Sequence, residues 1–516
     1  MSGSLNPSAL ARLLGEWNLG SAPAYRELAD VVRLLVLDGR VPLEIAMPSE
    51  RALAATLGIS RTTVTAAYSI LRDQGFLGGG QGSRSRTRVP QTGPPGSWSG
   101  NAVAQLSGAP GLAAPDGLID LAYASLPASG EVVHRAFASA LTELPALLPG
   151  FGYDALGVNA LREAIAGHYS AAGVPTTAQQ VLVTSGAQHA LNIVLRTLAG
   201  RSDKVLVEHP SYPNAIDAIR AAGCRLVPVA MPAAPAYIPA DTRSAAPADI
   251  RSGGRSRARP GWDVEAIETA LTQQRPAMAY VVPDFHNPTG RLMSDSQRRR
   301  LVRAAAAAGT VLVVDETLRE LNLDGVASTP MAGFSPAVVS IGSLSKSHWA
   351  GLRTGWIRAE ESLIQRFAAA RTTMDLGGPV VEQLAAAHLV SALSEPLPAR
   401  LASLRQNRDA LLDLIAGRLP GWQCERPDGG LSVWCRLPGP ISTALAVVAP
   451  DFGIRLAAGP RFGTGGAFEH HLRVPFTLPP ERLETAVVAL RSAQDRLEAS
   501  PQLRRSLGAP PAAAIA

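Results

Sequence analysis

Between residues 181 and 343 six short runs are apolar at nearly every position: VLVTSG, VLVEHP, RLVPVA, AMAYVVPD, TVLVVDE and AVVSIGS. Stretches of helical period, such as AQHALNIVLRTLAG and SDSQRRRLVRAAAAAG, lie between several of them. A run with no polar alternation predicts a strand covered on both faces. Such strands alternating with helices predict a doubly wound, largely parallel α/β sheet. In that architecture ligands gather beyond the carboxyl ends of the strands, so the residues that follow each run are the ones to inspect.

The pattern nearer the N-terminus is different. In AYRELADVVRLLVLDG, Leu28, Val31, Val32, Leu35 and Val36 share one helical face, closed by Gly39. MPSERALAATLGISRTTVTAAYSILRDQGFL then predicts two short helices. Ser49 caps the first, Gly58 makes the turn, and Ser60 caps the second, which turns Val64, Ala67, Tyr68 and Leu71 inward. Arg61, Thr62, Thr63 and Thr65 are left facing outward. Such a helix start suits a DNA major groove, where Arg reads guanine and hydroxyls hold phosphate. GGGQGSRSRTRV reads as a glycine turn and a strand with Arg84, Arg86 and Arg88 at period two, a basic wing.

Three stretches lack any apolar period: a Pro/Gly/Ser-rich linker (89–117), an arginine-bearing insertion (232–261) and a tail (496–516). They leave an N-terminal unit at 22–88 and a large unit at 118–495. A flexible linker of that length reaches roughly 30 Å.

Composition narrows the function classes. The chain has 516 residues, 46% hydrophobic and 17% charged, with a formal charge of +6, which permits a polyanionic partner without demanding one. No apolar run is long enough to span a bilayer, and Cys224, Cys424 and Cys435 sit at spacings that suggest neither a metal site nor a disulfide framework. A reducing cytoplasm is the expected location. Lysine occurs only at 204 and 346. Where positive charge alone is needed this chain uses arginine, so Lys346 points to what a guanidinium does not offer: an amine that can lose its proton and attack a carbonyl.

The strand ends carry matching chemistry. Ser185-Gly186-Ala187 opens a helix after VLVT, an anion-site pattern. Asn287, before a Pro288 that is a candidate cis proline, follows YVVPD, and Asp315 follows TVLVV. Ser343 and Ser345 flank Lys346, and Arg353 follows; hydroxyls and an arginine suit a phosphate dianion. An amine for an aldehyde, a phosphate cradle, a donor for a phenolic oxygen and a carboxylate for a ring nitrogen together describe pyridoxal 5′-phosphate. No metal is implied.

Two resemblances add to this reading. MPSERALA, LGISRTTVTAAYSIL and QGFL with the wing resemble the winged helix-turn-helix of the GntR family. That resemblance implies DNA contacts at Arg51, Ser60, Arg61, Thr62, Thr63 and around Gly82. Residues 118 to 490 resemble the fold-type I aminotransferases, a mostly parallel sheet with a smaller C-terminal α+β subdomain. By that resemblance Lys346 forms the internal aldimine, Asp315 pairs with the pyridine nitrogen, and Asn287 contacts the 3′-oxygen. Ser185, Gly186, Ala187, Ser343, Ser345 and Arg353 hold the phosphate, Tyr212 lies against the ring, and Arg473 in LRVPF holds an effector carboxylate. Tyr153 reaches the phosphate of a second copy, which implies a homodimer with shared sites. The chain departs from the family in one place. VDETLREL has Thr317 and Leu318 where a tyrosine usually serves the 3′-oxygen, which puts efficient turnover in doubt.

A GntR-type unit joined by a linker to an aminotransferase-like unit is the layout of the MocR subfamily. The expectation is a transcriptional regulator that binds double-stranded DNA and senses pyridoxal 5′-phosphate, an amino compound, or both. A second reading stays open: a working aminotransferase acting on an amino acid and a 2-oxo acid.

Overall fold

The computed structural model describes residues 4–14, 17, 23–37, 41, 45–73, 75–78, 85–88, 118–233, 237, 261–393 and 395–499. Gly39, Gly82, Arg84, the expected linker, most of the expected insertion and the end of the tail lie outside them. The chain divides into two compact units, one from Met1–Tyr123, Gly439–Ala458 and Ala486–Ala516, the other from Ala124–Pro438 and Gly459–Thr485.

In the first unit, α1 (Pro7–Leu14) buries Leu10 and Leu14 and precedes the stretch in which the sequence pattern places this domain. α2 (Ala24–Leu37), α3 (Glu50–Leu57) and α4 (Arg61–Asp73) follow, then a two-stranded wing of β1 (Leu77–Gly78) and β2 (Arg86–Thr87). The expected inward faces are the observed ones: Leu28, Val32, Leu35, Leu53, Val64, Ala67, Tyr68 and Leu71 form one core. Ser49 Oγ accepts from Ala52 N, and Gly58 takes φ 68°, the left-handed conformation in which a side chain would be strained. The same unit contains the parallel pair β3 (Ile119–Asp120) and a later strand at 454–455, bridged by an ion pair between Asp120 and Arg455.

The second unit opens with α5 (Gly130–Glu143) and α6 (Asn159–Ala171). Next come β4 (Val181–Thr184), α7 (Ala187–Leu198), β5 (Lys204–His209), α8 (Pro213–Ala221) and β6 (Arg225–Ala230). α9 (Val264–Gln274), β7 (Met278–Val281), α10 (Asp295–Ala308), β8 (Val311–Asp315), β9 (Val339–Ser343) and β10 (Gly355–Arg358) complete a seven-stranded sheet, order β4-β10-β9-β8-β7-β5-β6. The six expected runs are strands in it, and the pairs among β5, β6, β7, β8 and β9 are parallel. β10, GWIR, is the strand the sequence pattern did not indicate; it runs antiparallel to both β4 and β9.

The physical basis of the apolar runs is visible in the packing. Val181 and Val183 enter one core layer and Leu182 the other; Ala279 and Val281 enter the first, Met278 and Tyr280 the second. Alternate residues point to opposite faces, and both faces are covered by helices, so neither phase of the alternation can be polar.

α11 (Glu361–Arg371), α12 (Val380–Ser391) and α13 (Leu397–Arg418) lead to β11 (Gln423–Cys424) and β12 (Ser432–Arg436). α14 (Ser442–Val448), β13 (Ile454–Arg455) and β14 (Ala457–Ala458) follow, then β15 (His471–Pro475), which pairs with β12, and α15 (Pro480–Ala499). The cysteine expectation is corrected here. Cys424 and Cys435 face each other in the β11–β12 register and are joined by a disulfide. Antiparallel pairing brings together residues separated by 11 positions, which linear spacing does not reveal.

Candidate cofactor site and nucleic-acid interface

Because β4, β5, β7, β8 and β9 all point the same way in the sheet, their carboxyl ends lie along one edge, and the candidate residues follow those ends. Lys346 comes three residues after β9. Its Nζ donates to the Ala124 carbonyl at 2.8 Å. Burial, and next the Arg473 guanidinium, lower its pKa to about 8, while Asp315 acts in the opposite direction. The amine is therefore within reach of its neutral, nucleophilic form near physiological pH.

Asp315 ends β8 and is buried. Tyr280 Oη donates to its Oδ2 at 2.5 Å; Thr317 N and Oγ1 donate to its Oδ1 at 2.9 and 2.6 Å. Both carboxylate oxygens thus accept from neutral donors. Tyr212, at the start of α8, receives a hydrogen bond from Asn214 at 3.0 Å. Burial pushes its phenol up to about 12, Asp315 adds to this, and Arg473 and Arg353 oppose it. Asp315, Tyr212, Lys346, Arg473 and Arg353 thus share one electrostatic neighbourhood. Arg473, on β15, donates from Nη1 to Asn287 Oδ1 at 3.4 Å and lies with its guanidinium 4.9 Å from the Phe462 ring centre. The Asn287–Pro288 bond is cis, as expected.

The anion pattern also assembles. Gly186 takes φ 94° at the N-cap of α7, and a Cβ there would lie 3.0 Å from Arg353 Nη2. Glycine supplies both the backbone conformation and the space. Arg353 Nη2 donates to the Ser185 carbonyl at 2.9 Å, and the Ser343 and Ser345 hydroxyls are 2.8 Å apart. Ser185 N is not free for an anion, because it donates to His189 Nδ1 at 3.1 Å. The amides at Gly186 and Ala187 are left to open the helix. Tyr153 is 76% exposed.

Sequence reasoning missed Tyr280, His189 and the Ala124 carbonyl. A hydroxyl inside the otherwise apolar run AMAYVVPD was the available signal for Tyr280. It also left Thr317 as a mere absence of tyrosine, whereas the hydroxyl of Thr317 is committed to Asp315. The donor set fits pyridoxal 5′-phosphate: an amine of lowered pKa, a buried carboxylate that accepts three hydrogen bonds, and a glycine-opened helix start beside two serines and an arginine.

In the first unit, Arg51, Ser60, Arg61 and Thr62 are exposed and Thr63 is half-buried at the start of α4. Ser60 Oγ accepts from Thr63 N at 3.1 Å and contacts the Thr62 and Thr63 hydroxyls at 2.7 and 2.8 Å. Thr65 is exposed, yet its hydroxyl is already used: it donates to Glu50 Oε2 at 2.8 Å, while Arg72 pairs with Glu50 Oε1 at 3.2 Å. Those bonds tie α3 to α4. Among the described residues no group of side chains could hold a metal ion, and no helix is long and apolar enough to cross a membrane.

Two family models match. Aminotransferase class I and II covers residues 152–490, and bacterial regulatory proteins, gntR family, covers residues 24–86. An uncharacterized HTH-type transcriptional regulator of Bacillus subtilis, YisV, is 26% identical over 82% of this chain and 86% of its own length. The 2-aminoadipate transaminase of Thermus thermophilus is 31% identical over 60% of this chain and 74% of its own. Among solved structures, the α-aminoadipate aminotransferase LysN from Thermus thermophilus, complexed with N-(5′-phosphopyridoxyl)-L-leucine, superposes with a TM-score of 0.64 at 27% identity, over 74% of this chain and 94% of that one.

Proposed function

The chain belongs to the aminotransferase class I and II family and carries a DNA-binding unit of the GntR family; from that premise we propose a MocR-type transcriptional regulator whose large unit senses pyridoxal 5′-phosphate at Lys346. One observation carries the reading. The likeness to an HTH-type regulator runs over 82% of the chain, through both units, whereas the likeness to the transaminase stops at 60%.

Pyridoxal 5′-phosphate, when bound, supplies an aldehyde for a primary amine and a pyridine ring that withdraws electrons. The residues of this chain have the matching tasks. Lys346 offers its amine, and Asp315 keeps a proton on the ring nitrogen. Asn287 faces the ring oxygen and Tyr212 the ring face. Ser185 through its hydroxyl, Gly186 and Ala187 through their amides, and Ser343, Ser345 and Arg353 through their side chains receive the phosphate. Arg473 takes the carboxylate of an amino effector. Tyr153 completes the phosphate site of a second copy, which makes the regulator a homodimer; its exposure, beside that of Phe151 (98%) and Leu148 (66%), supports this. In the DNA-binding unit Arg61 reads a base edge, Arg51 and the Ser60, Thr62 and Thr63 hydroxyls hold phosphates, and the segment around Gly82 adds a further DNA contact. Occupancy at Lys346 favours one arrangement of the large units and thereby changes DNA affinity, a coupling between two sites.

The test is a titration against DNA from upstream of the chain's own and neighbouring genes, with and without pyridoxal 5′-phosphate, on the unaltered protein and Lys346→Ala. Specific binding that responds to the cofactor in the unaltered protein alone is the expected result. Binding indifferent to the cofactor in both proteins overturns the sensing. The retained trio of Lys346, Asp315 and Arg473 favours a second reading, an aminotransferase. Multiple turnovers with an amino acid and a 2-oxo acid at about 1 per second or faster, without specific DNA binding, would establish it instead.

A further inference from the structure

We propose that Tyr280 and Thr317 are positioning residues for Asp315, which spend their hydroxyls on its charge rather than on the cofactor. The inference rests on the reading that Asp315 faces the cofactor's ring nitrogen.

Tyr280 lies on β7 and Asp315 ends the adjacent, parallel β8, so the phenol crosses from one strand to the next to reach Oδ2 at 2.5 Å. Tyr280 is buried. Burial, and then Asp315 itself, raise its pKa well above the ordinary value, so the phenol keeps its proton and donates. Thr317 turns back on the same carboxylate from the other side, with its amide and hydroxyl both on Oδ1. The neighbouring chargeable groups are Tyr212 ahead of α8, Lys346 beyond β9, Glu208 on β5, which acts on Tyr280, and Arg473 on β15. Of these, Lys346 and Arg473 bring positive charge to the site and Glu208 negative charge.

Donors on both oxygens have two effects. They fix the plane of the carboxylate, and they stabilise its anionic form, so that a proton shared with a ring nitrogen stays on the nitrogen. Removing either hydroxyl lets the carboxylate turn or take that proton. Both routes reduce the positive charge on the ring. A ring with less positive charge repels a second proton less, so the bound cofactor's visible absorbance should titrate at a higher pH.

The experiment measures cofactor dissociation and the pH midpoint of that absorbance in the full-length chain, for Tyr280→Phe, Thr317→Val, Thr317→Ser and Asp315→Asn. Tyr280→Phe and Thr317→Val should each bind about tenfold more weakly, the loss of one hydrogen bond to a charged group, with a raised midpoint. Thr317→Ser should restore both. Weaker binding with an unmoved midpoint, or a lowered midpoint, means the hydroxyls only support the fold, and overturns the proposal. If Tyr280→Phe does not fold, Thr317→Val at a half-buried position decides alone. Asp315→Asn separates the premise from the inference. If it leaves the midpoint unmoved, Asp315 does not face the ring and the premise fails; if it moves the midpoint while the two hydroxyl variants do not, only the positioning role fails.

Discussion

Burial and the Arg473 guanidinium push the pKa of Lys346 from 10.5 down to about 8, and Asp315 only partly restores it. The unfolded chain therefore holds this proton more tightly than the folded one between those values. Charge on Lys346 opposes folding below about pH 8, and the opposition fades as pH rises toward 10.5. Compared by thermal denaturation without cofactor, Lys346→Met should lose ground to the unaltered chain across that window; a pH-independent difference in Tm would contradict the lowered pKa. The same shift predicts that capture of pyridoxal 5′-phosphate by the ligand-free chain accelerates up to about pH 8 and then levels off, whereas an ordinary lysine would keep accelerating toward pH 10. Stopped-flow absorbance distinguishes the two. At this scale the sequence revealed the residues whose chemistry is unusual for their place: one of two lysines, an aspartate ending an apolar run, a serine-glycine helix start. It hid Tyr280, because that hydroxyl's role depends on which strand lies alongside, and strand order is not written in linear spacing; Thr317, two residues from Asp315, was local but was read only as a missing tyrosine.

The helix starts are the best-determined elements in the sequence, since caps and left-handed turns are local. Ser49, Gly58 and Ser60 sit as the pattern required. Five of the six strands were legible for the same reason that they are buried, since two covered faces leave an apolar run; β6, at the sheet edge, is largely exposed and was legible from its apolar residues alone. β10 was not, because in GWIR the polar Arg358, buried with its guanidinium donating to Pro336 O at 3.3 Å, breaks the apolar signal. Long-range pairing, including that of Cys424 with Cys435, was also beyond linear reading. On α4 two neighbouring residues should separate cleanly. Arg61 is exposed with no hydrogen bond or ion pair among the described residues, so Arg61→Ala should weaken specific DNA binding by about 1–3 kcal/mol and leave thermal stability unchanged. Thr65 already serves Glu50, so Thr65→Val should cost stability, about 0.5–1.5 kcal/mol, and leave the preference for specific over random DNA intact. Fluorescence anisotropy beside thermal melts reads both, and a reversal of the two effects would mean that the wrong end of α4 has been assigned to the groove.

The proposed shared site makes a testable demand on the pairing of two copies. Leu148, Phe151 and Tyr153 lie in one short stretch after α5, 66% to 98% exposed, and Leu376 beyond α11 is 58% exposed. Scattered exposed apolar residues need no explanation, but large ones crowded into a single segment mark a contact surface. The shared-site reading adds a thermodynamic condition: if Tyr153 completes the phosphate site of a second copy, cofactor binding and dimer formation are linked, and each must strengthen the other by the same factor. Leu148→Asp with Phe151→Asp places charge on that surface without touching Lys346, Asp315 or the serines. The double variant should sediment as a monomer at concentrations where the unaltered chain is a dimer. Its cofactor should dissociate more readily, and the difference should shrink as protein concentration rises and pairs re-form. Tyr153→Phe should weaken cofactor binding while the dimer persists, because it removes only the hydroxyl. Should the double variant become a monomer that retains its cofactor as tightly as before, the site belongs to one copy, and occupancy at Lys346 would have to reach the DNA-binding unit without passing through the pairing of large units.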